Sequence, residues 1–185
     1  MGRDKALLRI DGHTILERVV ASVSDLADEV FVVGRDDPAL PGVRAVPDAR
    51  PGAGALGGIY TALLAARNPR CLVVACDMPF LNRDLLRHLI DLSAGYDIVI
   101  PRMGHWLEPV HAVYARTCLG PIRQLLDRGG KRIFDFFPDV DVRYVDREEL
   151  EFFGPVDLSF FNVNTPDDLS RALAIAGERG GEETR

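Results

Sequence analysis

Hydrophobic positions along this chain alternate between short unbroken apolar runs and stretches spaced three or four apart, the two patterns that read as buried strands and amphipathic helices. Lys5 to Ile10 is a short apolar stretch that ends on the turn signal Asp11-Gly12. Thr14-Ile-Leu-Glu17 has the form of a capping box, and Ile15, Leu16, Val19, Val20, Val23 and Leu26 then recur at helical spacing. Glu29 to Val33 reads as a strand, with Gly34-Arg35-Asp36-Asp37-Pro38 as the loop at its carboxyl end. Val43 to Val46 is another short strand, closing on Pro47-Asp48, and Ile59, Ala62, Leu63 and Ala66 share one face of the helix after it.

The run Cys71 to Ala75 has no polar alternation and reads as a strand covered on both faces, the habit of a parallel sheet. Asp77 falls at its carboxyl end, and Met78-Pro79 stops the strand. Two readings of Asp77 are open: it meets a ligand or metal beyond the strand ends, or it caps the following helix. Asn82 and Asp84 are better placed to cap that helix, whose apolar residues are Leu85, Leu86, Leu89 and Ile90. Asp97 to Pro101 is a further strand, Arg102 to Pro109 an irregular connection carrying His105 and Trp106, and Val110 to Tyr114 apolar again. Arg116 to Asp127 is helical by pattern, Gly129-Gly130-Lys131-Arg132 breaks it, and Ile133, Phe134 and Phe137 mark a second short helix.

Val140 to Val145 alternates apolar and charged residues, as a strand near a sheet edge does, and Asp146 to Pro155 is charged and ambiguous. Phe160 to Asn164 reads as extended, and Thr165-Pro166-Asp-Asp168 opens a last helix with Leu169, Ala172, Leu173 and Ala176 inward. Strands alternating with helices in this way predict a three-layer α/β/α sandwich, one domain over residues 1–176, with a frayed polar tail at 177–185.

Composition narrows the function classes. Across 185 residues, 28 acidic side chains against 22 basic ones leave a net charge of -6, which gives no general attraction to nucleic acid or to an anionic membrane. Any anionic substrate must therefore be held by local groups. The 3 cysteines, Cys71, Cys76 and Cys118, are odd in number and lack metal-ligand spacing, which suits a reducing cytoplasm better than a disulfide framework. No apolar run reaches membrane-spanning length, and no signal sequence is expected ahead of the first folded segment.

The stretch Ala49 to Gly58 carries glycine at 52, 54, 57 and 58 and feeds directly into a helix. Such a loop offers backbone N–H groups to a phosphate or a base edge, and a plain surface loop has the same composition. It fits neither a Walker A sequence nor a Rossmann glycine fingerprint. Lys5 alone reads as a solvated lysine, His111 between Val110 and Ala112 as a satisfied strand histidine outside the catalytic set, and Gly129-Gly130-Lys131 as a helix break. Trp106 and His105 either stack on a flat ring or pack over the sheet edge.

Taken in series, five segments carry a resemblance. These are Met1-Gly-Arg-Asp-Lys5-Ala, Pro47-Asp48 with Pro-Gly-Ala-Gly-Ala-Leu-Gly-Gly, Cys76-Asp77-Met-Pro, Glu108-Pro-Val-His111-Ala-Val-Tyr114, and Phe161-Asn-Val-Asn-Thr-Pro-Asp-Asp-Leu169. In this order they resemble the motifs of the molybdenum cofactor guanylyltransferases, nucleotidyltransferases with a mostly parallel, Rossmann-like sheet of the nucleotide-diphospho-sugar transferase type. The resemblance implies transfer of GMP from GTP to the terminal phosphate of molybdopterin or its molybdenum-loaded form, with release of pyrophosphate. It implies Asp77 as the ligand of Mg²⁺, Lys5 as a phosphate-neutralising catalytic cation, and Asp48, Gly57 and Gly58 on the nucleotide. Asn162 and Asn164 are expected beside the phosphates or pterin, and Arg102 on a pterin-side phosphate. Molybdoenzymes or molybdopterin-delivering proteins are the expected protein partners.

One departure qualifies the resemblance. Members of that family begin with a strand and a Leu-Ala-Gly-Gly-type phosphate loop ending in Arg-Met-Gly, whereas this chain starts at the Met-Gly. The expectation is that the reading frame begins further upstream. The rival readings are a related CMP- or sugar-phosphate nucleotidyltransferase and a non-catalytic cofactor-binding relative.

Overall fold

The structure, a computed structural model, describes residues 4–36 and 40–182, with side chains of helical residues described as far as 178. Met1 to Arg3, Asp37 and Pro38 of the expected loop, and the last three residues of the expected tail lie outside the described residues. Strands β1 (Arg9–Ile10) and β2 (His13–Thr14) form a small hairpin, turned at Asp11 and Gly12, both with positive φ. Helix α1 (Ile15–Val23) starts on the expected capping box: the Thr14 hydroxyl accepts the Glu17 N–H at 3.1 Å, and the Glu17 carboxylate accepts the Thr14 N–H. Strands β3 (Phe31–Val33) and β4 (Arg44–Val46) pair in parallel, and helix α2 (Gly54–Ala65) leads to β5 (Arg70–Val74).

Helix α3 (Arg83–Leu92) precedes β6 (Ile98–Met103), β7 (Trp106–Leu107) and β8 (His111–Ala115). After α4 (Leu119–Asp127), a 3-10 segment at Ile133–Asp139 and β9 (Val142–Asp146) come the short helices α5 (Arg147–Leu150) and α6 (Val156–Ser159) and the long α7 (Pro166–Glu182). The larger sheet runs β5-β8-β6-β7, with β9 on the other edge of β6. Strands β5 and β6 are both antiparallel to β8 and so share one direction, and β9 lies parallel to β6.

Alternation through this sheet sorts its side chains into two cores. Ile98, Ile100, Ala112 and Tyr114 face α2, α4 and Phe136, while Val99 and Val113 face Leu85 and Leu89 of α3. Helices α1 and α7 share the latter side through Ile15, Val19, Ala172 and Ala176. The molecule is a mixed α/β sandwich, and β8 is the strand that runs against its neighbours. Its reversal comes from a tight turn at Gly104 (φ +63), where Met103 pairs with Trp106. Arg102 to Pro109, expected to be irregular, is therefore largely a β-hairpin. Pairing with β6 then slips, Arg102 opposing Leu107 but Val99 opposing Val113, so Glu108, Pro109 and Val110 bulge from the ladder. The Tyr114 hydroxyl fastens the bulge by donating to the Pro109 carbonyl at 2.7 Å.

Phe160 to Asn164, read as extended, pairs with no strand, and its backbone meets the site loop through Val163 N–H to Asp77 O at 2.9 Å. Two other expectations are corrected. Leu173 points outward at 44% exposure while Ala172 and Ala176 are buried, because the last helix seats its small residues against the core. That helix also continues past Ala176 to Glu182, so the stretch expected to fray is mostly helical.

The largest difference lies at β5. The run Cys71 to Ala75 reads as covered on both faces, yet every one of its residues is only half-buried. The β3–β4 pair does not join the larger sheet, and between β3 and β5 runs an apolar slot of about 280 Å³. Consecutive residues Val30–Val33 line one wall and Arg70–Cys76 the other, with Val19 of α1 and Ile59 of α2 on its two broad faces. Here the apolar run of β5 borders an opening rather than a neighbouring strand.

Glycines 57 and 58 separate packing from openness within one helix. A Cβ on Gly57 would stand 2.9 Å from both the Ala53 Cβ and the Arg50 carbonyl oxygen, whereas one on Gly58 would meet nothing within 4 Å. Gly57→Ala is expected to cost about 1–3 kcal/mol by overpacking. Gly58→Ala is expected to be neutral or to stabilise by up to about 1 kcal/mol. Urea midpoints of the two variants check the contrast.

Candidate functional site

The carboxyl ends of β3, β4 and β5 lie along one rim of the molecule, and most sequence-predicted residues gather there. Asp77 follows β5, held by the backbone bond from Val163. Helix capping does not occupy it: α3 is capped by Asn82, whose side-chain oxygen accepts the Leu85 N–H at 3.0 Å. The Asp77 carboxylate is half-buried and has no hydrogen-bond partner among the described residues. One residue beyond Val163, the Asn164 side-chain oxygen accepts from Lys5 Nζ at 2.8 Å. Thus Lys5, Asn164 and Asp77, far apart in sequence, share the end of β5. Asn164 owes its position to the start of α7, where the Asp168 carboxylate accepts the N–H groups of Asn164 (3.1 Å) and Thr165 (2.9 Å). Asn162 turns instead to its own loop and donates to the Phe160 carbonyl at 3.0 Å.

Asp48 forms a second centre across the slot, after β4. Its carboxylate accepts the Arg50 N–H at 2.9 Å and lies 3.1 Å from the buried hydroxyl of Thr61. That hydroxyl accepts the Ala49 N–H at 3.0 Å and shares its single proton between two acceptors, the Asp48 carboxylate and the Gly57 carbonyl at 2.8 Å. Thr61 therefore ties the loop entrance, Asp48 and the first turn of α2 together. Helix α2, with Ala53 at its N-cap position, has no side-chain cap, so no capping side chain takes up its first-turn N–H groups.

Arg35, after β3, pairs with Asp4. Sequence reading left Arg35 in a loop, although the rule that singled out Asp77, a charged residue directly after a strand, applies equally to it. Thr61 and Asp168 were missed as well; a lone hydroxyl on an otherwise apolar helix and a carboxylate three residues after a threonine cap were the available signals.

Arg102 lies apart from this group. It sits on β6, binds Asp146 of β9 in a two-pronged ion pair at 2.6 and 2.8 Å, and stacks 4.8 Å from the centroid of the Tyr144 ring. The Arg102 hydrogen bond holds the Asp146 carboxyl below the usual carboxylate range. Trp106, at the hairpin tip, is 76% exposed and covers nothing. His111 is wholly buried, its ring packed edge-on against Phe160 at 4.8 Å, and neither ring nitrogen has a hydrogen-bond partner among the described residues. Burial without a partner pushes its pKa down to about 3, so it is neutral in the folded protein at ordinary pH. Sequence reading expected a satisfied histidine; the structure shows an unsatisfied one.

Among the described residues no three metal-binding side chains cluster, which excludes there a zinc site of the structural kind. All three thiols are free and burial raises the pKa of each, Cys71 to about 11, which makes them poor nucleophiles. Among the described residues no helix is long and apolar enough to cross a membrane.

Acidic side chains at parallel strand ends, a glycine-rich helix entrance and a lysine facing the same rim make the frame of an α/β nucleotidyltransferase. The chain belongs to the family of MobA-like NTP transferase domains, which matches residues 1–147. It is 40% identical over 178 residues to a Pelotomaculum thermopropionicum protein named "Probable molybdenum cofactor guanylyltransferase", covering 95% of this chain and 87% of the relative. The crystal structure of molybdopterin-guanine dinucleotide biosynthesis protein A from Archaeoglobus fulgidus superposes with a TM-score of 0.82 at 30% identity, over 96% of this chain and 92% of that one. A 2-C-methyl-D-erythritol 4-phosphate cytidylyltransferase from Thermus thermophilus shares the fold, with a TM-score of 0.70 at 22% identity over 93% of each chain.

Two outcomes follow from these contacts. Thr61→Ala strands the Ala49 N–H and loosens Asp48, and is expected to cost about 1–3 kcal/mol in urea unfolding, while Thr61→Ser retains most of it. For His111 the unfolded chain takes up a proton near pH 6.5 and the folded chain only near 3. Its neutral form therefore supports stability above pH 6.5, and that support is lost as pH falls through the window between the two values. His111→Leu is expected to flatten the fall in urea midpoint between pH 6.5 and 4; an unchanged pH profile would refute this origin.

Proposed function

We propose that this nucleotidyltransferase transfers GMP from GTP to the terminal phosphate of molybdopterin or its molybdenum-loaded form. The observation that carries the reading is the meeting of Lys5, Asn164 and Asp77 at the end of β5. A terminal phosphate oxygen attacks the α-phosphorus of GTP, a new P–O–P bridge forms, and pyrophosphate leaves with the electrons of the broken bond. Attacker and triphosphate are both anionic, so the rim must gather negative charge before in-line displacement begins. Lys5 suits this because its partner Asn164 is a neutral amide, which leaves the ammonium charge uncompensated.

The Asp77 carboxylate, half-buried and unpartnered among the described residues, fits a hard cation that takes oxygen ligands. Asp77 would hold Mg²⁺, which when bound neutralises phosphate charge as a Lewis acid. Asp48, with Gly57 and Gly58 in the helix turn beside it, suits the nucleotide: one carboxylate oxygen is fixed by Arg50 N–H and Thr61, and the other can accept a donor from guanine. Asn162 and Asn164 serve the phosphates or pterin. Arg102 reaches a pterin-side phosphate only by exchanging Asp146 for it. Free thiols suit a cytoplasmic protein, and a molybdoenzyme or a molybdopterin-delivering protein is the natural partner.

The fold is shared with a cytidylyltransferase, so nucleotide choice is the point to test. Purified chain with Mg²⁺, molybdopterin and either GTP or CTP is expected to release pyrophosphate with GTP; a CTP preference overturns the guanylyl reading, and binding without pyrophosphate favours a non-catalytic role. Asp77→Ala is expected to lower turnover by roughly 10³-fold with the unfolding midpoint little changed, since the side chain lies at a strand end. Undiminished turnover removes Asp77 from the site.

A further inference from the structure

The bulge ahead of β8 carries Glu108, an acidic side chain that the site has so far left without a role. Its backbone is fully engaged: the N–H donates to the Pro101 carbonyl at 3.2 Å, and the carbonyl accepts the His111 N–H at 3.1 Å. The next carbonyl, that of Pro109, is taken by the Tyr114 hydroxyl. Glu108 therefore stands on a fixed platform. Its carboxylate is half-buried and has no hydrogen-bond or ion-pair partner among the described residues. Arg102, which opposes the preceding Leu107, gives both prongs of its guanidinium to Asp146 instead. Hydrogen bonds hold the carboxyls of Glu17, Glu29, Asp146 and Asp168 low, whereas burial alone pushes that of Glu108 up. A half-buried acid without a donor is destabilising until something supplies one.

The pairing of β5 with β8 puts Glu108 on the site rim. Just past the last paired residues, Val74 and His111, the Ala75 N–H donates to the Val110 carbonyl at 2.9 Å. Because the strands are antiparallel, Asp77 and Glu108 each stand two residues beyond that bond, at the same end of the sheet. Strand β8 occupies the edge of β5 away from the slot, while β3, β4 and Asp48 lie across the slot. Asp77 thus has Asp48 on one side and Glu108 on the other. In-line displacement brings attacker and leaving group to opposite sides of the phosphorus. A nucleotide held at Asp48 therefore leaves the Glu108 side to the molecule that attacks.

A carboxylate repels a phosphate, so Glu108 meets another part of that molecule. Its two oxygens match a pair of adjacent N–H donors. A 2-amino-4-oxopyrimidine edge presents such a pair, a ring N–H beside an exocyclic amine, and guanine and pterins both carry it. Position decides between them, since guanine is assigned to Asp48 on the far side of Asp77. We propose that Glu108 is a specificity-determining residue that receives the pterin of the attacking molecule, its two oxygens accepting the ring N–H and the 2-amino group. This assignment rests on the molybdopterin reading above and names the edge of that substrate which the protein reads. A flat ring without the donor pair leaves the carboxylate as unpartnered as it is in the free protein.

The test measures pyrophosphate release with GTP, Mg²⁺ and molybdopterin, and binding of molybdopterin and of GTP by equilibrium dialysis, in the unaltered chain and in Glu108→Gln and Glu108→Ala. Both variants are expected to raise the KM and the Kd for molybdopterin by roughly 10- to 100-fold, with a far smaller change in kcat and in the KM for GTP. Urea midpoints are expected to hold or rise, because the carboxylate makes no bond within the protein that its removal would break. Unchanged molybdopterin affinity in both variants overturns the proposal while leaving the transfer reaction standing. A raised KM for GTP instead assigns Glu108 to guanine, and a raised Mg²⁺ requirement assigns it to the metal; either overturns the pterin role. A fall in urea midpoint with uniform loss of all binding overturns it in favour of a structural role. If the unaltered chain neither binds molybdopterin nor releases pyrophosphate with it, the molybdopterin reading itself fails and the pterin role with it.

Discussion

The backbone ladder of β8 is the interaction on which the rest of the molecule depends. Every residue from His111 to Ala115 is buried, and the strand bonds to β5 on one edge and β6 on the other. Through the first ladder it fixes β5, and with it the position of Asp77; through the second it fixes β6 and the hairpin that carries Trp106. The bulge at Glu108 to Val110 lets one strand serve both neighbours: Val110 O accepts from Ala75 at 2.9 Å while Glu108 N–H reaches Pro101 O at 3.2 Å. An unpartnered histidine at the head of this ladder is a cost borne at a place of maximum order.

The cations singled out from the sequence and the structure differ in freedom. Arg102 is engaged by both oxygens of Asp146 and Arg35 by Asp4, so each presents a charge already balanced by a carboxylate. Lys5 alone of these three faces a neutral partner. In a chain with net charge -6, local imbalance of this kind counts for more than the total. Asp48 and Asp77 follow strands on opposite sides of the slot, so a ligand that touched both would bridge the two sheets.

Much of this was legible in the residues. The Thr14–Glu17 box, the Asn82 cap and the strand-then-acid pattern at Asp77 are local signals that depend on few neighbours, and each forms as its spacing implies. What failed depended on distant contacts. The hairpin at Gly104 was hidden because its strands are short and its turn residues are glycine and histidine. Arg102 was read as a phosphate contact because nothing local announces Asp146, forty-odd residues away and adjacent only through the parallel pairing of β6 with β9. Half-exposure of β5 could not be read from Cys71 to Ala75, since coverage of a strand is a property of its neighbours.

The chain has 1 tryptophan, and it projects from the hairpin tip at 76% exposure. Its indole is therefore already in water in the native state. Intrinsic emission will start red-shifted and change little as the interior melts, so tryptophan fluorescence would give little amplitude for following unfolding. The same ring becomes a sensitive reporter of anything that settles on the hairpin, with no dye required.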